Sequence, residues 1–160
     1  MTTNNAGKGD GTMSASITQL SLFVQNQPGS MKEVLRVLAE GGIDINGLSV
    51  ADTTEYGVLR MILSDPEKAE RLLQNAGFAV KATQVLAIDV VDTPGGLYRP
   101  VSLMADAGIN IDYMYAFGTK LSSHAMIIFR TADNIRAEAV LAEAGIPVLN
   151  ADEVRERMYS

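Results

Sequence analysis

The sequence contains no cysteine and no tryptophan, a single histidine, and only 13 basic residues against 19 acidic ones. Each shortage excludes something. Without cysteine there can be no disulfide framework, no thiol nucleophile and no thiolate metal site. The lone His124 cannot build a multi-histidine metal centre. A formal net charge of −6 leaves little basic surface for nucleic acid or an anionic membrane, so neither partner is expected. Long apolar runs are missing too: nowhere are about 18 apolar residues sustained, which points to a soluble protein with the cytoplasm as its default location. The leader, residues 1–16, is polar and carries no signal or anchor pattern, and it is expected to be disordered. Its Gly7-Lys8-Gly9-Asp10-Gly11 stretch lacks both the Ser/Thr after Lys and the preceding strand that a phosphate loop needs. What remains is a 160-residue chain that is 47% apolar, enough for one ordinary domain or two very small ones.

The chain reads twice. Residues 24–50 overlie residues 90–116 at a constant offset of 66: Pro28-Gly29 falls on Pro94-Gly95, Gly42-Ile43 on Gly108-Ile109, and Ile45 on Ile111. Upstream, Leu20, Leu22 and Val24 meet Leu86, Ile88 and Val90. Downstream the offset becomes 68, since AGFAV at 76–80 meets AGIPV at 144–148, which requires two extra residues around Phe117 to Ser123. An even insertion keeps strand alternation in phase, so a longer hairpin loop is expected there.

Each unit has the order strand, helix, strand, strand, helix, strand. Alternating Leu20, Leu22 and Val24 mark a strand with one covered face. Ser30 is the expected cap of a helix carrying Met31, Val34, Leu35 and Leu38, which stops at Gly41-Gly42. Strands over Ile43–Val50 and Gly57–Leu63 follow, joined through Asp52 to Tyr56. A second helix starts at Asp65-Pro66-Glu67, where Asp caps and Pro suits the first turn. Its stripe of Ala69, Leu72, Leu73 and Ala76 repeats as Ala137, Val140, Leu141 and Ala144. A last strand is expected near Phe78 to Ala82, then a linker of a few residues around Lys81 to Gln84.

The expected fold is therefore α+β, an α/β sandwich in which a ferredoxin-like βαββαβ unit occurs twice, with antiparallel sheets able to join edge to edge. The expected boundaries are 17–82 for the first unit and 84–150 for the second, with a tail or short helix over 151–160 capped by Asn150 or Asp152. One unit of about 65 residues buries too little surface to be stable alone, so the two should pack together. With both helices on one sheet face, Phe23, Met61 and Leu63 are expected to be exposed or to cover a partner, and a homodimer follows.

Over roughly residues 17–150 the chain resembles the ACT-domain family, in particular stand-alone proteins with two tandem copies. The resemblance is carried by Asn26-Gln-Pro-Gly29 with Ala39-Glu-Gly-Gly-Ile-Asp-Ile45, and by Asp92-Thr-Pro-Gly95 with Ala105-Asp-Ala-Gly-Ile-Asn-Ile111. It implies a ferredoxin-like fold and a non-catalytic regulatory module of amino-acid metabolism, without a cofactor. It also implies an amino acid or similar small effector bound where two modules meet, and side-by-side sheet pairing.

Read from the residues themselves, each Pro-Gly turn sets backbone N–H groups at a helix start, where an anionic group is met without a basic side chain. Asn26 and Asp92 offer side-chain oxygens to an ammonium group. The ligand-contact set is then Asn26, Gly29, Ser30 and Met31 in the first copy, and Asp92, Gly95, Gly96 and Leu97 in the second. The resemblance adds Asp44, Ile109, Asn110 and Ile111 on the opposite wall of the pocket. The same residues also suit ordinary turns and local backbone capping. Pro100 can stand only near a first helical turn, which makes the second turn differently shaped; Gly96 offers backbone access there, so the second copy is the preferred contact. Tyr98, Tyr113, Tyr115 and Phe117 would pack on a sheet face or interface, or wall an apolar effector side chain.

Catalysis finds little support. Ser122-Ser123-His124 lies in no Gly-x-Ser-x-Gly elbow, and Asp52, Asp106 and Asp112 follow no calcium-loop spacing. The other reading is a regulatory or scaffolding subunit that binds a metabolic enzyme without an effector of its own.

Overall fold

The computed structural model describes residues 14–52, 55–118 and 123–159. Residues 1–13 of the expected leader, residues 53–54 of the first hairpin loop, and Ser122 lie outside them. The elements run β1 (Ile17–Gln25), α1 (Ser30–Glu40), β2 (Ile45–Asp52), β3 (Tyr56–Leu63), α2 (Pro66–Asn75), β4 (Val80–Val91), α3 (Tyr98–Asp106), β5 (Ile111–Gly118), β6 (His124–Thr131), α4 (Asn134–Glu143) and α5 (Ala151–Tyr159). The strands form one antiparallel sheet in the order β2-β3-β1-β4-β6-β5, so the fold is α+β with the βαββαβ pattern laid down twice.

The two units do not meet through a linker. β4 runs unbroken from Val80 to Val91, and the expected linker around Lys81 to Gln84 is its first half. Residues 80–85 pair with β1, closing the first unit, while residues 86–91 pair with β6 and open the second. The boundary expected between 82 and 84 thus falls inside a strand. Sequence reading expects a break because it counts one strand per unit end. The chain instead uses one strand of 12 residues as the last of one unit and the first of the next. The second unit's own closing strand is reduced to a single bridge between Val148 and Ile88.

Local signals explain most element ends. Asp65 and its counterpart Asp133 cap α2 and α4 by accepting from the N–H groups of Lys68 and Arg136, each at 3.0 Å. Asn150 and Glu153 form a reciprocal capping box at the start of α5. The β2–β3 hairpin leaves residues 53–55 between strands and the β5–β6 hairpin residues 119–123, two more, as the change of offset requires. Ser30 does not cap α1: it is the first helical residue, and Gly29 holds the cap position without a side-chain hydrogen bond.

Three apolar clusters hold the layers together. Leu20, Leu22, Leu59 and Met61 face Val34, Leu38 and Leu73 of α1 and α2. Leu86, Ile88, Ile127 and Phe129 meet Met104 and Leu141 of α3 and α4 in the same way. The third cluster lies on the opposite sheet faces, where Ile17 and Ile62 of the first module pack with Met126 and Ile128 of the second. Val85 and Ala87 of β4 belong to this cluster, as does Val154 of α5. The sheet is thus folded about β4, and the two helix-free faces cover each other. Met61 and Leu63 are correspondingly not on the helix-free face but buried under α1 and α2; of the three residues expected on that face, only Phe23 is there, and it is exposed.

The contact between the faces includes polar groups. Gln19, fully buried in β1, donates through Nε2 to the Tyr113 hydroxyl at 2.6 Å and accepts from the Tyr115 hydroxyl at 2.8 Å. Phe117 lies against Gly47. Tyr113, Tyr115 and Phe117 therefore serve sheet-face packing, while Tyr98 stands apart and is 77% exposed. Asp89 of β4 accepts from Arg157 of α5 at 2.7 Å and lies 3.1 Å from His124 Nδ1, tying the last helix to the sheet.

Candidate functional site

Both Pro-Gly turns occupy equivalent places. Gly29 at φ 92° and Gly95 at φ 88° adopt the left-handed conformation that glycine takes without strain, and each turns the chain from a strand into a helix. The preceding residue is anchored in the same way in both copies: the N–H of Asn26 donates to the Glu55 carbonyl at 3.0 Å, and that of Asp92 to the Ser123 carbonyl at 2.8 Å. Space beside Gly29 and Gly95 is open, with no atom within 4 Å of where a Cβ would stand. Neither α1 nor α3 receives a side-chain cap, but the N–H groups of Ser30 and Tyr98 already donate to the carbonyls of Gln27 at 3.3 Å and Gly95 at 3.0 Å, and Pro100 has none, so Met31 and Lys32 in α1 and Arg99 in α3 carry the first-turn N–H groups left for another acceptor.

A groove adjoins each turn. The first is lined by Gln27, Gly29, Ser30, Lys32, Glu33 and Phe78. At the second, Gly95, Gly96 and Arg99 border the end of β4 and the return from α4 at Ile146. Phe78 and Ile146 are repeat equivalents, so the grooves are two copies of one feature. Sequence reading missed Lys32 and Arg99, which follow the turns closely enough to be found. Asp89 borders the second groove through its strand only, its carboxylate turned to Arg157 and His124 on the helix-free face. Arg99 donates to the Ala144 carbonyl at 2.7 Å, which holds its guanidinium at the groove's edge.

The copies differ as Pro100 requires. α1 begins directly after Gly29, whereas α3 begins two residues later in register, at Tyr98, with Pro100 buried in its first turn. Gly96 has a packing reason: a Cβ there would collide with the carbonyl oxygen of Val91. Its missing side chain closes the loop onto the end of β4, so the expected ligand access through Gly96 is not what requires glycine. Met31 and Leu97 direct their side chains toward their own helix-sheet cores, which leaves only their backbones to the grooves.

The opposite-wall residues lie elsewhere in the same chain. α1 has 11 residues, so its C-terminal end and Asp44 stand about 16 Å of helix away from Gly29. The Asp44 N–H donates to Ser64 Oγ at 3.0 Å, and Asn110 Nδ2 donates to Asp112 Oδ1 at 3.1 Å. Ile109 is buried in the second core, and its N–H donates to the Met104 carbonyl at 2.9 Å. Ile111 opens β5 and packs on that core. None of these four lines either groove, and each groove is built by one module alone.

A family model described as an ACT domain pair matches residues 15–158. The chain belongs to the ACT-domain family. The match includes both modules, the shared β4 and nearly all of α5. A solved structure from Bacteroides thetaiotaomicron is 33% identical, over 88% of this chain and 96% of that one, with a TM-score of 0.83. The regulatory subunit of aspartate kinase from Thermus flavus is 19% identical, covers 80% of this chain and 90% of its own, and has a TM-score of 0.59. The ligand-free regulatory subunit from Thermus thermophilus is 18% identical over 88% of this ACT pair and 97% of its own chain, at 0.60. These two share the fold. No curated protein matches the chain. No helix among the described residues is long and apolar enough to cross a membrane.

Proposed function

We propose that this ACT domain pair is a non-catalytic, cytoplasmic regulatory protein that binds an amino acid or similar small effector at its Pro-Gly turns. The observation that carries the reading is the pair of helix starts without a side-chain cap, each preceded by a left-handed glycine with empty space beside it, directly before α1 and three residues before the start of α3. Such a start receives a carboxylate through N–H groups. Asn26 and Asp92 line neither groove but stand exposed at the start of their turns, and one of them receives the ammonium end. The regulatory role draws support from family membership and from the aspartate kinase regulatory subunits that share the fold.

A second copy of the chain completes the site. Asp44, Ile109, Asn110 and Ile111 reach no turn within one chain, so they can serve as opposite walls only across a homodimer. The outer strands β2 and β5 leave Leu48, Val50 and Met114 exposed at the sheet edges, where two such sheets can join side by side.

The test is thermal melting with each of the twenty amino acids at millimolar concentration, combined with sedimentation to read the oligomeric state. One or a few amino acids should raise the melting temperature by mass action. Asp92→Ala or Asn26→Ala should remove the shift while leaving the ligand-free melting temperature unchanged, since both positions are exposed. No shift with any amino acid, together with co-purification of a metabolic enzyme, would establish the effector-free scaffolding role instead.

A further inference from the structure

Away from the Pro-Gly turns, the two helix-free sheet faces part at one end into a cleft of about 290 Å³, the size of a small-metabolite pocket. One wall is a row across three strands of the first module. Arg60 of β3 and Lys81 of β4 are both register partners of Ser21 on β1, so the two cations flank one serine with α-carbons about 10 Å apart. The other wall is Tyr113 of β5 with its register partner Arg130 of β6.

These groups present donors and almost no acceptors. The Arg60 guanidinium lies 3.8 Å from the centre of the Tyr113 ring, a cation–π contact that fixes the head group without using its N–H donors. Arg130 reaches Asp112 at 3.7 Å. Among the described residues no carboxylate pairs with Arg60 or Lys81. At the back of the cleft, Gln19 Nε2 donates to both Ser21 Oγ at 3.0 Å and the Tyr113 hydroxyl at 2.6 Å. Each hydroxyl thereby serves as an acceptor for Gln19, and its own O–H is left to donate elsewhere.

Three of the 13 basic side chains thus converge with two hydroxyl donors in a protein whose net charge is −6. Like charges so arranged repel, and of the three only Arg130 has an acid, Asp112, set against it. We propose that this inter-module cleft binds a small multivalent oxyanion, a phosphate group or a dicarboxylate. Arg60 supplies a planar fork, Lys81 supplies point charge, Arg130 adds N–H donors from the other wall beside its Asp112 partner, and Ser21 and Tyr113 orient the oxygens. Phe23 and Val58 at the rim suit a short apolar portion of the same ligand. Because both modules contribute walls, occupancy would hold the two sheet faces at one spacing. The site is separate from both Pro-Gly grooves and stands or falls independently of them.

The full-length protein is titrated with inorganic phosphate, succinate, acetate and chloride at matched ionic strength, read by thermal melting and by calorimetry. Phosphate or succinate should raise the melting temperature where acetate and chloride do not, and the stronger of the two identifies the oxyanion. Arg60→Gln and Lys81→Gln should each weaken that binding about tenfold. Ligand-free Lys81→Gln should melt no lower than the parent, since it removes repulsion from an exposed strand position; this variant decides the matter if Arg60→Gln folds poorly. The Asp92→Ala variant should bind the oxyanion unchanged. Equal responses to all four anions, or an affinity that Lys81→Gln does not alter, would overturn the proposal.

Discussion

Gln19 of the first module and Tyr115 of the second share a hydrogen bond of 2.8 Å, with the hydroxyl donating to the amide oxygen at the junction of the two sheets. The same amide donates to Tyr113, so one fully buried side chain satisfies two hydroxyls of the facing module. Gln19→Leu leaves both phenols without this partner and should lower stability by about 2 kcal/mol, read by urea unfolding. Combined with Tyr115→Phe, the loss should be less than additive, because one hydrogen bond is counted in both single changes.

Tyr115 also makes stability depend on alkaline pH. Burial raises its hydroxyl above the usual tyrosine value of about 10, and neighbouring Tyr113 acts in the same direction while Arg60 opposes them. The unfolded chain therefore loses this proton first as pH rises. Stability associated with the shift is fully present below about pH 10 and falls above it. Melting curves from pH 8 to 11 should show a steeper alkaline decline in the parent than in Tyr115→Phe.

Asp89 is the anchor of α5. Its carboxylate, only 9% exposed, meets Arg157 at 2.7 Å and His124 at 3.1 Å. Asp89→Asn removes the counter-charge from a partly buried guanidinium and should cost about 1–3 kcal/mol, less than a fully buried pair because Arg157 keeps some solvent. Hydrogen exchange should quicken in residues 151–159 before it does in β1 or β3.

Gly96→Ala should destabilise more than Gly29→Ala. At Gly96 the added methyl meets the Val91 carbonyl, backbone that cannot swing aside, and a cost of about 2 kcal/mol or more is expected. At Gly29 the methyl enters empty space and only the left-handed backbone resists it, for about 1 kcal/mol. Chemical denaturation of the two variants checks the order.

The repeat made much of this fold legible. Leu20, Leu22 and Val24 recur as Leu86, Ile88 and Val90 in the two helix-covered cores, and Asp65 with Asp133 marks two helix starts to the residue. The turns were legible too, since Pro-Gly fixes local backbone geometry. Ser30 was not, because a glycine in the left-handed conformation took the cap position one residue earlier. Asp44 and Asn110 fell on the expected segments but at the far ends of their helices from the turns, a separation set by helix length within one chain and invisible in a motif.

The sequence alone determined two similar modules, their element order, their helix-covered faces and their turns, because periodicity, capping and glycine conformation act over a few residues. Only the tertiary structure decided that Val80–Val91 is a single strand common to both, and that the helix-free faces close on each other. In sequence Lys81 falls at the expected linker and Tyr113 in the aromatic cluster, while Gln19, Ser21 and Arg60 carry no signal of their own. They become an interface and a cationic cleft only when the two halves of the sheet fold together about β4, which pairs residues as far apart as Gln19 and Tyr115, 96 positions along the chain.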